Sequence, residues 1–83
     1  MNAEHVMAEL RSFIVSEFLD GREDGFDTTT PLLEWGIVDS MTLVSVLAFI
    51  RDRYGVEVPD DELTPDNLRT LEAVTALVVR LSS

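Results

Sequence analysis

The sequence predicts an all-α domain: a small four-helix bundle with three main helices, one short helix and a long loop between helices one and two. Apolar residues recur at helical spacing in three separate stretches. No stretch of useful length alternates apolar and polar residues as a half-buried strand would. The chain has 83 residues, enough to bury one core, so we expect a single domain over residues 1–83.

The first helix is predicted from Ala3 to Phe18. Its apolar residues repeat at intervals of three and four, whereas most of its charged residues fall elsewhere on the helical wheel. The apolar set is Val6, Leu10, Phe13, Ile14 and Phe18. The helix should end near Leu19, because Asp-Gly pairs at 20–21 and 24–25 tolerate positive φ and interrupt helical continuation.

A long irregular stretch is predicted from about Asp20 to Val38. Its second half is too apolar for a free linker, so we expect the loop to fold over the helices and bury some of its side chains. The apolar residues in question are Leu32, Leu33, Trp35 and Ile37.

The second helix is predicted from about Ser40 to Tyr54. Either Asp39 or Ser40 can accept a hydrogen bond from the first-turn N–H groups, and Gly55 suits a left-handed C-terminal cap. The predicted core face consists of Leu43, Leu47, Ile50 and Tyr54. A second apolar stripe on a neighbouring face consists of Met41, Val44 and Ala48. This apolar surface is wider than a surface helix requires.

Two shorter signals complete the fold. Residues 58–62 should be extended and then turn, because proline disfavours helix in the residue before it. Thr64 then caps a short third helix that begins with Pro65 and ends at about Leu68. Thr70 caps a fourth helix. The buried stripe of the fourth helix is Leu71, Val74, Leu77, Val78 and Leu81.

The composition limits the possible partners and compartments. The net charge of −10 repels nucleic acid and anionic membranes and favours partners that present basic patches. The densest apolar stretch, Leu43–Ile50, is far shorter than the roughly 20 residues of a membrane span. There is no cysteine for a disulfide or a thiolate metal site. We therefore expect a cytoplasmic monomer that binds neither nucleic acid nor membranes.

Enzyme and metal sites are not predicted. His5 is the only histidine and has no cysteine or second histidine to join it. Ser40 lacks the flanking glycines that a nucleophile elbow requires. The segment from Asp20 to Gly25 shares positions with a calcium loop, but Arg22 and Pro31 replace two of the carboxylate ligands. We expect no catalytic residue and no metal ligand.

The informative segment contains Gly36 and then Asp39, Ser40 and Met41 at the start of the second helix. Here the chain resembles the acyl and peptidyl carrier protein family, whose signature is Asp-Ser-Leu preceded by a glycine a few residues upstream. Met in place of Leu is a conservative departure. The resemblance covers roughly the whole chain, including the acidic turn after Pro59 and the start of the fourth helix.

The resemblance implies that a phosphopantetheinyl transferase attaches 4′-phosphopantetheine to the hydroxyl of Ser40, next to Asp39. The arm would hold an acyl or aminoacyl thioester, and the domain would present this cargo without catalysing any step. A helix N-terminus suits the new phosphodiester, because unpaired N–H donors and the helix dipole attract anions. The candidate partner-binding residues are Met41, Thr42, Val44, Ser45 and Ala48. The alternative is that Met41, Val44 and Ala48 complete the core.

The second helix also separates types of carrier. Fatty-acid-type carriers typically display several acids along it, whereas here Asp52 is the lone acid beside Arg51 and Arg53. The segment around Ser40 is more similar to discrete aminoacyl carriers such as D-alanyl carriers, which stand-alone adenylating ligases charge. The chain begins and ends without linker-like extensions, which suits a free-standing protein.

The expected function is therefore that of a discrete carrier in a specialised polyketide or nonribosomal-type pathway. An adenylating ligase or acyltransferase would load the arm with an aminoacyl or short acyl group, and condensing or acyl-transfer enzymes would use it. Two alternatives stay open: a fatty-acid-type acyl carrier protein, and an unmodified acidic helical adaptor that binds a partner helix in a groove.

Overall fold

The computed structural model describes residues 2–22 and 25–82, and every regular element within them is helical. The elements are α1 (Ala3–Phe18), α2 (Ser40–Tyr54), a 3-10 helix (Asp60–Glu62), α3 (Pro65–Leu68) and α4 (Leu71–Ser82). The predicted all-α bundle with a long first loop is confirmed. The second Asp-Gly break and the calcium-like loop fall partly on residues 23–24, outside the described residues. No helix among the described residues is long and apolar enough to cross a membrane.

Local capping explains where the helices begin and end. The Asn2 side chain accepts hydrogen bonds from the first-turn N–H groups of α1, a cap that the sequence did not predict. The helix ends where Asp20 and Gly21 adopt positive φ values of 53° and 79°. Thr64 caps α3, and the Thr70 hydroxyl accepts a hydrogen bond from the first turn of α4, as predicted.

The core combines α1, α4, the inner face of α2 and part of the long loop. α4 packs on both α1 and α3. α2 runs antiparallel to α1, because Phe13 stacks on Phe49 while Glu9 binds Arg53. The buried apolar residues are Val6, Leu10, Ile14, Val15, Phe26, Leu32, Ile37, Val38, Val46, Ile50, Val56, Leu68, Leu71, Val74, Leu77 and Val78.

The predicted core face of α2 needs one correction. Val46 and Ile50 are its fully buried residues, while Leu43 and Tyr54 are half-buried against the core. Leu47 is half-exposed in a surface groove instead. The sequence could not place this face, because only one residue between Leu43 and Ile50 is polar and the apolar stripe has no clear edge.

The long loop folds over the helices as predicted, and α1 and the α3–α4 junction hold it. The Arg11 guanidinium donates a hydrogen bond to the Phe26 carbonyl and lies 5.5 Å from the centroid of the Phe26 ring. The Thr28 carbonyl accepts from the backbone N–H of Glu72 in the first turn of α4. These contacts give buried backbone groups their partners and fix the loop on the bundle.

Candidate functional site

The start of α2 is held by a reciprocal capping box. The Asp39 carboxylate accepts hydrogen bonds from the N–H groups of Met41 and Thr42, each at 2.9 Å. The Thr42 hydroxyl accepts from the Asp39 N–H at 2.7 Å and donates to the Ile37 carbonyl at 3.1 Å. The side chains of Asp39 and Thr42 therefore both stabilise the first turn of α2.

Ser40 is the first residue of α2 and is exposed. Asp39 alone serves as the N-cap, which settles the choice between Asp39 and Ser40 that the sequence left open. The Ser40 side chain makes no hydrogen bond within the described part of the chain, so its hydroxyl is not needed for the fold. A slim, exposed and uncommitted hydroxyl fits covalent attachment of a phosphate ester.

The start of α2 has fewer free N–H donors than the sequence predicted. The Asp39 carboxylate already binds the N–H groups of Met41 and Thr42, and the Asp39 carbonyl accepts from Leu43. The hydrogen bonds to the carboxylate, that of the Thr42 N–H first and then that of the Met41 N–H, lower the pKa of Asp39 below its usual value. A phosphate on Ser40 would therefore meet fewer free donors than predicted, with the ionised Asp39 as its neighbour.

The loop before α2 positions Ser40 through one buried leucine. The Leu32 N–H donates to the Arg69 carbonyl at 2.7 Å, and its own carbonyl accepts from Ile37 at 3.0 Å and Val38 at 3.1 Å. Leu32 is completely buried. Gly36 has a φ of 73°, which lets the chain reverse between these two sets of hydrogen bonds. The glycine of the sequence signature thus has a structural role in delivering Ser40.

The candidate partner-binding residues of α2 form a surface that is partly apolar and open to solvent. Met41 is 81% exposed and Val44 is 67% exposed, so the alternative in which they complete the core is wrong. Ser45 is exposed and Ala48 half-exposed. Thr42 lies beside them but is half-buried, with its hydroxyl occupied in the capping box.

A shallow groove of about 380 Å³ lies on the side of α2 that carries Ser40. Val44, Leu47 and Arg51 follow Ser40 at spacings of four, three and four, so they lie on one helix face. The opposite wall is the extended segment 56–58. The sequence did not predict this groove, because its two walls are formed by segments whose contact depends on the tertiary fold.

Leu33 and Trp35 are further apolar residues that the loop leaves exposed, at 36% and 56%. The prediction that the loop buries some of its apolar residues is confirmed for Leu32 and Ile37. The hydrophobic pattern of the sequence does not predict which apolar residues of the loop are buried, because an irregular segment has no repeating face. Among the described residues no cluster of side chains could hold a metal ion.

Comparison with known proteins identifies the family. The family model described as "Phosphopantetheine attachment site" matches residues 13–78. The chain is 38% identical over 76 residues to "Probable acyl carrier protein PigG" of Serratia sp. (strain ATCC 39006), covering 92% of this chain and 87% of that protein. It also matches a chain of a solved structure described as "Crystal structure of FAD-dependent dehydrogenase". That match has a TM-score of 0.80 and 40% identity, and covers 84% of this chain and 99% of the other.

The family model covers more than half of the chain, and the relative covers nearly all of it. The helical fold agrees with both. The chain therefore belongs to the acyl and peptidyl carrier proteins, a family of generally non-catalytic domains that bear a covalently attached 4′-phosphopantetheine.

Proposed function

We propose that Ser40 is the attachment point of the phosphopantetheine arm and that the chain is a discrete, cytoplasmic carrier of an aminoacyl or short acyl group. The observation that carries this proposal is the hydroxyl of Ser40, which is exposed and free of hydrogen bonds among the described residues. The bound arm supplies a thiol on which the cargo is held as a thioester. Every other step belongs to partner enzymes.

The residues around Ser40 present the hydroxyl rather than activate it. Asp39 and Thr42 fix the first turn of α2, and Leu32 fixes the loop that leads into it. A phosphopantetheinyl transferase joins the Ser40 oxygen to the phosphorus of coenzyme A that bears pantetheine, and the P–O bond of the pyrophosphate breaks. The adenosine bisphosphate half of coenzyme A leaves, and the hydroxyl proton passes to the transferase or to water. A rigid helix start lowers the entropy lost when the transferase binds.

The partner face is proposed to comprise Met41, Thr42, Val44, Ser45 and Ala48. Met41 and Val44 supply apolar area, and a flexible methionine adapts to more than one partner. Thr42 supports the face by holding the capping box. The groove beyond Val44 gives room for an apolar side chain of the partner or for part of the arm.

The charges of α2 favour an aminoacyl or short acyl carrier over a fatty-acid-type carrier. Arg51 and Arg53 flank Asp52, the single acid of the helix. A basic patch that reads a row of acids would find little to bind here. We therefore propose loading by an adenylating ligase or acyltransferase, and use by condensing or acyl-transfer enzymes of a specialised pathway.

A flavin-dependent dehydrogenase is also proposed as a partner. The match described as an FAD-dependent dehydrogenase covers 84% of these 83 residues, about 70 residues, and nearly the whole of the other chain. That other chain is therefore of carrier size. Such an enzyme would remove two hydrogens from the arm-bound cargo while its flavin is reduced, and a mass spectrum of the loaded arm would reveal their loss.

Attachment is tested by intact-mass spectrometry after incubation with coenzyme A, Mg²⁺ and a promiscuous transferase. The wild type should gain one phosphopantetheine and Ser40→Ala none. Ser82→Ala removes another exposed serine and should be modified like the wild type. A wild type that stays unmodified, or a Ser40→Ala variant that gains the arm, would contradict the proposal.

The cargo is tested on the modified protein with a panel of adenylating ligases and acyl donors. Aminoacyl or short acyl loading at the arm supports the proposed function. Preferential malonyl loading followed by long-chain elongation would indicate the fatty-acid type instead. An adaptor would bind its partner equally well as Ser40→Ala, whereas a carrier loses all cargo.

A further inference from the structure

The groove between α1 and α2 has an aromatic floor that belongs only partly to the core. The rings of Phe13 and Phe49 lie 4.3 Å apart between centroids and 19° from parallel. Phe18 meets Phe13 edge-on, and Tyr54 meets Phe49 in the same way, so the rings are fixed in place. Both stacked side chains are half-buried and face the groove.

This groove is continuous and about as long as a short helix. Two depressions of about 540 and 510 Å³ share Phe13, Glu17, Phe49 and Arg53. From His5 to Glu17 the groove follows about 18 Å of α1. Short side chains on both walls leave the rings accessible: Ala8, Ser12, Ser16, Ser45 and Ala48. A partner helix of about three turns matches this length.

The charges along the groove favour a basic occupant. Glu17 and Asp52 both line the second depression. Glu17 makes no ion pair with any described residue, whereas Asp52 lies 3.5 Å from the exposed guanidinium of Arg51, outside the groove. The guanidinium of Arg53, the one arginine of the groove, is bound to the Glu9 carboxylate. The lining is therefore net negative, in a chain whose overall charge is −10. Lysine or arginine side chains next to an aromatic or aliphatic anchor are complementary to it.

The groove lies away from the attachment site. Phe49 follows Ser40 by about two and a half helical turns, which places it on the opposite side of α2. An occupant of the groove therefore leaves the hydroxyl of Ser40 accessible. The groove shares Ser45 and Ala48 with the proposed partner face, but Met41 and Val44, the most exposed apolar residues of that face, do not line it.

We propose that the α1–α2 groove binds a basic amphipathic helix of a partner protein while Ser40 is being modified or its arm is in use. The apolar face of that helix packs on Phe13 and Phe49, and its cations bind Glu17 and Asp52. The contact keeps the carrier close to one partner between visits of the arm, which raises the effective concentration of the cargo there. The proposal goes beyond the proposed function, because the groove does not include Ser40.

The probe is a synthetic, fluorescein-labelled amphipathic peptide of about four helical turns, with lysines on one face and leucines and one tryptophan on the other. A matched peptide carries glutamate at the lysine positions. Fluorescence anisotropy with the full chain should show binding at least about tenfold tighter for the lysine peptide. NMR shift changes should centre on Phe13, Glu17 and Phe49.

Charge-reversal variants separate the groove from the general acidity of the chain. Glu17→Lys combined with Asp52→Lys should weaken binding of the lysine peptide about tenfold. Glu34→Lys combined with Asp61→Lys makes the same change in net charge at exposed positions outside the groove. That control should weaken binding by less than about twofold.

Several outcomes would overturn the proposal. One is an equal loss in both double variants, and another is a set of shift changes centred on Met41 and Val44. A dimer that covers the groove, or loaded cargo that shifts Phe13 and Phe49 without peptide, would assign a different occupant. Saturating peptide should change the rate of Ser40 modification by less than about twofold. A block would disprove simultaneous binding, whereas failure of modification without peptide contradicts the proposed function alone.

Discussion

Gly36 is a single residue whose backbone conformation decides how the loop approaches Ser40. Its φ is 73°, and a β-carbon built there would meet no atom within 4 Å. The cost of a side chain is therefore conformational and not a clash. We expect Gly36→Ala to lower the free energy of unfolding by about 1 kcal/mol, as measured by urea denaturation.

Asparagine provides the matched variant, because its side chain tolerates the left-handed region better than alanine does. Gly36→Asn should be less destabilised than Gly36→Ala. If both variants were as stable as the wild type, the turn would not require a positive φ, and the structural reason for this glycine in the signature would be lost.

The capping role of the Asp39 side chain can be tested with two substitutions. Asp39→Asn keeps an oxygen that accepts from Met41 and Thr42, whereas Asp39→Ala leaves both N–H groups without it. We expect hydrogen exchange at these two amides to be about fivefold faster in Asp39→Ala than in Asp39→Asn. Equal exchange in the two variants would show that the capping box does not hold the first turn.

The long loop between α1 and α2 contributes one leucine to the core and leaves the next one exposed. Leu32 is fully buried and its backbone joins Arg69 to Ile37 and Val38 in the turns before α2. The adjacent Leu33 is 36% exposed. Leu32→Ala should lower the free energy of unfolding by about 3 kcal/mol, because it leaves a cavity in the core. Leu33→Ala should change it by less than about 0.5 kcal/mol.

Urea denaturation of these two variants is therefore an internal comparison between neighbouring residues of the same type. The Leu32 variant should also be modified more slowly by the transferase, because the loop no longer fixes the start of α2. Similar losses of stability in the two variants would contradict the described packing of the loop.

The buried and the exposed face of α2 have different roles, so the same substitution on each face should have a different effect. Val46 is 2% exposed and Val44 is 67% exposed. Val46→Ala should lower the free energy of unfolding by about 2 kcal/mol through lost apolar burial. Val44→Ala should leave stability within about 0.5 kcal/mol of the wild type and instead slow loading by the partner ligase. A slower loading of Val46→Ala alone would reverse the assignment of the faces.

The elements themselves were predictable because their signals are local. The C-terminal end of α1 follows from helical periodicity that stops at an Asp-Gly pair. The bounds of α2 follow from helical periodicity between Asp39 and Gly55. The buried face of α2 was not predictable, because Val46 and Leu47 both fall within a stretch that is almost wholly apolar. Packing against other elements decides which of the two is buried, and that information is not in the helix itself.

The same reasoning explains what could be predicted of the site. Ser40 and Asp39 were predicted as site residues from a short motif at a helix start, and the structure leaves the serine exposed. The positioning by Leu32 was missed because the hydrogen bond to Arg69 joins distant parts of the chain. The α1–α2 groove was missed for the same reason, since it requires Phe13 to meet Phe49.

At the scale of the whole molecule, Glu9 joins two helices that the sequence places far apart. Its carboxylate accepts hydrogen bonds from the Arg53 guanidinium and, at 2.9 Å, from the Tyr54 hydroxyl, and it lies 3.3 Å from His5. The hydrogen bond from Arg53 is the main cause that lowers the pKa of Glu9. Burial, and then Glu9, raises the pKa of Tyr54 to about 12.

This cluster makes the stability of the bundle depend on pH at the acid end. A carboxyl group whose pKa is lower in the folded state contributes stability that is complete above its unfolded value and lost as pH falls through its folded value. For Glu9 the ordinary value is 4.5, so the free energy of unfolding should fall as the pH drops below 4.5. Asp27 and Asp39, whose pKa values are also lowered, add to the decline below 3.8.

The Glu9→Gln variant measures how much of this pH dependence of stability comes from the Glu9 cluster. The variant should be less stable than the wild type at neutral pH, and its stability should decline less steeply below pH 4.5, so that the two urea-denaturation curves converge in acid. Glu4→Gln removes the same charge from the same helix, outside the cluster, and should keep the wild-type dependence. Parallel curves for Glu9→Gln and the wild type would mean that Arg53 does not hold α2 against α1 through Glu9. The aromatic pair would then be the main contact that closes this side of the bundle.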